Sequence, residues 1–218
     1  MEELDLRAAP GFIESRVRDE FPGLRLDWVS VEGRAQASPP SVELHLKRLS
    51  NRFRGADVVA MRTRPIPHAY RSFFRQIGLD PDTNRVPIER AAVDRLMHGG
   101  FRSSGLIEDA LLIGLVETGV PVWALDADLV DAGGLGIRTT VAGDRLGTTE
   151  HGNHLAPGQL AVCDARSVHA LLFDEPAPGH GVSRASTRFA LFAVSVPGVP
   201  AIHVEEALWV TIEVLRSG

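Results

Sequence analysis

The sequence predicts an α+β domain, and three observations carry that prediction. Helix-length segments dominate the chain up to Gly119, several of them opened by Pro and closed by Gly. From Pro121 to Val196 the pattern changes to short apolar runs punctuated by Gly, Asp and Pro. One amphipathic segment then closes the chain. Helices first and strands later argue for α+β rather than a doubly wound α/β fold.

Taken in order, GFIESRVRDEF (11–21) predicts a short helix. LRLDWVSVEG (24–33) alternates and predicts a strand. AQASPPS (35–41) is turn chemistry and the one candidate boundary. Residues 1–60 are accordingly set apart as an N-terminal extension packed on the core, and 61–218 as the main domain. SVELHLKRLSNRF (41–53) predicts a helix with a basic outer face, and DVVAMR (57–62) a strand.

Pro65 or Pro67 opens a helix that runs through Ile77, with Ile66, Tyr70, Phe73, Phe74 and Ile77 as its apolar stripe. His68, Arg71 and Arg75 fall together on the other face. GLDPDTNRVP (78–87) is a turn. A second helix starts at Pro87 and ends at Gly99 and Gly100, with Ile88, Ala92, Leu96 and Met97 inward. A third runs from about Gly105 to Thr118; it is apolar on nearly all sides except Glu108 and Asp109, which predicts a central, buried helix. Strands follow at 121–125, 135–141, 159–164, 167–173 and 188–196. The last helix, 201–215, carries Val204, Leu208, Ile212 and Leu215 on one stripe.

Composition narrows the function classes. A chain of 218 residues suits one domain, or one with a small addition. Cys163 is the only cysteine, which excludes an internal disulfide and a four-cysteine zinc site. The acidic start, MEELDLRAAPG, lacks the basic and apolar regions of a signal peptide, and the most apolar stretch is broken by Glu108, Asp109 and Glu117. The expectation is a soluble cytoplasmic protein with no membrane partner. The net charge of −5 gives no global pull towards nucleic acid. Locally, however, Leu44 to Leu79 carries eight basic residues against Asp57 alone. Arg62, Arg64, Arg71 and Arg75 are the candidate RNA contacts in that patch.

Most motifs fail on inspection. No dinucleotide-binding, phosphate-loop, nucleophile-elbow or zinc-protease pattern is present. EHGNH (150–154) places His151 and His154 near Glu150, but it reads as an exposed polar turn rather than a metal site. Asp126, Asp128 and Asp131 in LDADLVDAGG have no calcium-loop glutamate after them and read as caps. No metal and no cofactor is expected. Glu108 and Asp109 suit the positive end of a helix and are also candidates to face a cleft.

A register of short segments carries a resemblance. These are AYRSFFRQIGLDP, PIERAAVDRLMHGG, GLIEDALLIGLVETGVPVWALDAD, GGLGIRTTVAGDRL and LAPGQLAVCDA. In that order they resemble the B3/B4 editing domain of the phenylalanyl-tRNA synthetase beta subunit and its free-standing relatives, over about 69–196. The resemblance implies a three-layer domain, with a β-sandwich core backed by helices. In the synthetase this domain hydrolyses the ester of tRNA charged with tyrosine in place of phenylalanine. By the same alignment Trp123 stands where the family has His, Leu112 where it has Asn, and Ala193 where it has Glu, while Asp126 matches the family's Asp. The framework is kept and the editing-site polar groups are largely lost.

The expected ligand pocket is therefore Leu112, Trp123, Asp126 and Ala193. Three functions stay open. The first is a binding module for RNA, tRNA-like, or for an aminoacyl-type ligand. The second is a trans-acting aminoacyl-tRNA deacylase, with Glu108, Asp109 or Asp126 as candidate catalytic acids. The third is an interaction protein with a closed pocket. An open cavity beside Trp123, with carboxylates, keeps the enzyme reading alive, and a closed one removes it.

Overall fold

A computed structural model describes residues 8–53, 55–131, 133–147 and 152–218. The fold is α+β, as the order of helical and strand patterns predicts. It has two four-stranded sheets, with strand orders β1-β3-β8-β4 and β2-β5-β6-β7. The first sheet comprises β1 (Ala9–Pro10), β3 (Arg25–Glu32), β4 (Val122–Asp126) and β8 (Arg188–Ser195). The second comprises β2 (Phe12–Ile13), β5 (Gly136–Thr139), β6 (Leu160–Cys163) and β7 (Val168–Leu171). All pairs are antiparallel except β2 with β5.

The helices are α1 (Ser15–Glu20), α2 (Pro40–Arg52), α3 (Gly55–Met61), α4 (Pro65–Gln76), α5 (Pro87–His98), α6 (Leu106–Thr118) and α7 (Ala201–Arg216). Proline opens α2, α4 and α5, where its missing N–H costs nothing. Left-handed glycines, Gly99 and Gly119, end α5 and α6.

Register decides what each strand presents. Trp28, Phe192 and Trp123 stand opposite one another across β3, β8 and β4. Asp27, Ala193 and Val122 form the next row, so their side chains leave the other face of the sheet. The Trp28 face meets the second sheet: a Cβ at Gly134, ahead of β5, would lie 2.8 Å from the Trp28 ring. The Asp27 face turns to α7, and α6 packs on α7 in turn. Burial, helped by Glu205 of α7, raises the pKa of Asp27. Phe173 closes the core at the sheet edge. Its ring meets Tyr70, Phe73, Phe74 and Trp123 at centroid distances of 5.1–6.0 Å. The Tyr70 hydroxyl donates to the Val194 carbonyl at 2.8 Å.

The residues before 60 are woven into the sheets. β3 is an inner strand paired with β8 over all eight of its residues, and β2 is the edge of the second sheet. The 35–41 turn is tied to α6, because Leu106 N donates to Gln36 O and Ser38 Oγ to Asp109. A cut at residue 60 would therefore remove strands from both sheets.

Two expectations are corrected. Residues 57–61 belong to helix α3, not to a strand, and α3 packs on α5. A short apolar run has no periodicity that separates the two, and here the chain stays among helices between α2 and α4. In α5, Ile88 and Ala92 are inward, but Leu96 and Met97 are exposed. The inward stripe continues through Arg95 instead, which donates to the Ser50 carbonyl at 2.7 Å. Among the described residues no helix is long and apolar enough to cross a membrane.

Candidate functional site

β4 lies at the edge of its sheet, and its second residue is Trp123. The indole stacks on Phe192, with centroids 5.5 Å apart and planes 14° from parallel, and tilts against Phe173. It is 8% exposed, so it forms a wall rather than a free surface. Beside it opens a cleft of about 410 Å³. α6 contributes Glu108, Leu111, Leu112 and Leu115, and α5 contributes Pro87, Arg90, Ala91 and Asp94. Phe173 and Glu175, just past β7, and Pro121 and Val122, beside Trp123, also line it. The floor is apolar and the rim carries three carboxylates, Asp94, Glu108 and Glu175, against one guanidinium, Arg90. Such a rim attracts a cation such as an ammonium group, while the floor takes an apolar side chain.

The helical period sorts the two acids of α6. Glu108 is exposed and reaches the cleft. Asp109, one residue on, points into the protein and is 1% exposed. Its carboxylate accepts Ser38 Oγ and Ser103 Oγ, both at 2.5 Å, and Ser104 N at 3.0 Å. With those bonds made, Asp109 ties α6 to two loops. Asp126 is tied by hydrogen bonds as well. It caps the 3-10 turn Ala127–Leu129, accepting Asp128 N at 3.0 Å and Ser186 Oγ at 2.5 Å. This is the capping role its position predicts.

Of the four expected pocket residues, the cleft holds Leu112 and Trp123. Ala193 is fully buried and, with Asp126, lies on the sheet face opposite Trp123. Val122 lines the cleft together with Trp123 at the start of the edge strand, whereas Ala193 lies on the inner strand β8 and Asp126 at the far end of β4.

The basic patch is rearranged as well. Arg62 follows α3, and Arg64 is the residue that precedes the first turn of α4. Arg71 is 6% exposed, in the interior between α4 and α5. Its Nη1 donates to both Glu89 oxygens, at 2.9 and 3.0 Å, and its Nη2 to Asp82 at 2.7 Å. Hydrogen bonding and charge from Arg71 hold the Asp82 carboxyl below the usual range. Arg62 shares the cluster, 3.2 Å from Asp82. Arg71 is therefore an internal counter-ion to Glu89 and Asp82. Arg75 is exposed.

Sequence reading missed Phe173, Glu175, Arg90 and Asp94, which reach the cleft only through tertiary packing. It also missed a buried group formed by Asp164, His169 and His180. The one signal for it was a histidine at an inward position of the SVHALLF strand. Of the EHGNH stretch, Glu150 and His151 lie outside the described residues, and His154 is exposed. Among the described residues no three His, Cys, Asp or Glu side chains gather to hold a metal ion. Compared with the models of known protein families and with curated proteins, the chain matches none.

Proposed function

We propose that this chain is a B3/B4-like binding module that holds an amino acid, or the aminoacyl end of a larger molecule, in the cleft beside Trp123. The observation that carries the reading is that this cleft is open, with an apolar floor and an acidic rim. An apolar side chain would lie against Trp123, Leu112 and Leu115, and the α-ammonium would face Glu108 and its neighbours. Arg90 stands across the rim for a carboxylate or phosphate. RNA contact through Arg71 is not part of this reading.

A second reading is favoured by one feature, the position of Glu108 on the cleft. A carboxylate there has the chemistry to take a proton from a water that attacks an ester carbonyl. The water oxygen bonds to the carbonyl carbon, the ester C–O bond breaks, and the proton passes to the departing ribose oxygen, which leaves as a hydroxyl. That is the reaction of an aminoacyl-tRNA deacylase.

Calorimetric titration with free amino acids and their methyl esters tests the first reading, and a deacylation panel of aminoacyl-tRNAs tests the second. Saturable binding of apolar amino acids, lost in Trp123→Ala, is expected. No binding by any amino acid or ester removes the first reading. Turnover that falls about 10²–10⁴-fold in Glu108→Gln would make the protein an enzyme. No turnover over the whole panel removes the second reading.

A further inference from the structure

The side chain of Trp123 carries one polar atom, the indole Nε1, and that atom can only donate. The residue is 8% exposed, so more than nine-tenths of it is buried. Among the described residues Nε1 makes no hydrogen bond, yet no buried side-chain nitrogen or oxygen lacks one. Nε1 therefore sits in the small part of Trp123 that reaches solvent, and Trp123 borders the cleft.

Its neighbours fix the indole. Phe192 stacks on it at 5.5 Å with planes 14° apart, and Phe173 meets it at 6.0 Å and 49°. Phe173 is itself held at φ 68°, the one positive φ outside glycine among the described residues. That backbone conformation is unfavourable for a bulky residue and persists only where its surroundings enforce it. A donor held in such a frame needs little further ordering when it bonds a ligand.

The rest of the cleft describes the other parts of that ligand. Residues 173–181 form a strap from the end of β7 to the edge of β4, where Asp126 N donates to His180 O at 3.0 Å. The strap brings Glu175 to the rim, and α6 brings Glu108. Both carboxylates are exposed, and among the described residues neither forms an ion pair. Asp94, the third acid of the rim, pairs with His98 at 3.1 Å. Leu111, Leu112 and Leu115 supply apolar surface. An ammonium, an apolar group and an acceptor oxygen close together are the three parts of an α-amino acyl group.

We propose that the Trp123 Nε1–H binds the carbonyl oxygen of an α-amino acyl ligand, amide or ester, and so selects acyl compounds over plain amines with the same side chain. This role rests on the reading of the cleft as an amino-acid site and adds the contact that recognises the acyl group. A plain amine covers the apolar surface and meets the carboxylates but offers the indole N–H no acceptor. The difference expected for one neutral hydrogen bond is about 2- to 12-fold in affinity.

Calorimetric titration of the full chain with leucinamide and with 3-methylbutylamine tests it. The two share the ammonium and the branched side chain, and only leucinamide carries a carbonyl. At about pH 6 both are cations, since an ordinary α-amino group titrates at about 7.7–8.0. Leucinamide should bind about 2- to 12-fold more tightly, and in Trp123→Phe the ratio should fall to about one. The smaller ring weakens the apolar contact of both ligands alike, so the ratio reads the N–H alone. A ratio that is unchanged in Trp123→Phe, or already about one in the unaltered protein, overturns the proposal and leaves the amino-acid reading standing. Binding of neither compound overturns both.

If Trp123→Phe does not fold, the indole ¹H–¹⁵N signals of the unaltered protein decide. Trp28, Trp123 and Trp209 each give one, and Trp28→Phe and Trp209→Phe identify that of Trp123. Slower exchange of the Trp123 indole proton with water in leucinamide, but not in 3-methylbutylamine, supports the contact. Unchanged exchange with leucinamide bound refutes it.

Discussion

Replacing Arg71 with Leu measures how firmly α4 and α5 are joined. In the folded protein the Arg71 and Glu89 side chains are only 8% and 5% exposed, and they meet at 2.9 Å. Removing the guanidinium leaves the Glu89 carboxylate buried, with Arg62 Nε farther off, at 3.9 Å. Breaking one side of a buried pair costs about 3–5 kcal/mol, because the other charge stays desolvated. For a chain of this size that corresponds to a melting point lower by roughly 6–20 °C. Arg62→Ala should behave differently: its side chain is half exposed, and an exposed pair is worth about 0–1 kcal/mol. Removing both charges, in Arg71→Leu with Glu89→Leu, should restore most of the loss, since a buried pair exchanged for apolar groups is often neutral. Urea denaturation of the three variants gives all three numbers. If Arg71→Leu unfolds within about 1 kcal/mol of the unaltered protein, the ion pair is not the joint described here, and Arg71 is again a candidate for binding phosphate.

Three further outcomes are expected. Gly114 faces α7, and a Cβ there would lie 2.5 Å from Thr211 Oγ1 and 3.2 Å from Ala207 O, so Gly114→Ala should destabilise by about 1–3 kcal/mol in denaturant titrations. Asp109→Ala removes the acceptor shared by Ser38, Ser103 and Ser104, and limited proteolysis should then cut within 35–41 faster than in the unaltered protein, with a stability loss of about 1–3 kcal/mol. Asp144 is held below the usual carboxylate range, first by its hydrogen bond from Arg138. Its contribution is thus full above about pH 4 and is lost as pH falls through its lower folded value. The stability gap between the unaltered protein and Asp144→Asn should narrow on acidification over that window, as read by thermal melts.

Local chemistry made much of the fold legible in the sequence. Proline at helix starts, glycine at helix ends and the apolar run of α6 are short-range signals, each settled by the backbone and side chains of a few neighbouring residues. The strands from β4 to β8 were legible for the same reason, and so was the cap formed by Asp126. The α+β class follows from their order. Tertiary structure alone decided which side chains meet. Residues 55–61 became a helix because of what surrounds them. Arg71 turned inward because Glu89, eighteen residues away, sits opposite it. Glu108 and Asp109 are adjacent in the chain, yet one faces the cleft and the other accepts hydrogen bonds from Ser38, Ser103 and Ser104. Trp123 and Leu112 line one cleft, while Ala193, on an inner strand, and Asp126, at the far end of β4, do not. The Asp164–His169–His180 chain joins residues from the ends of two strands and a strap, and no spacing announces it. Propensity and capping act over one or two turns of chain, whereas burial and charge pairing depend on distance in space. The sequence sets that distance only through the whole fold.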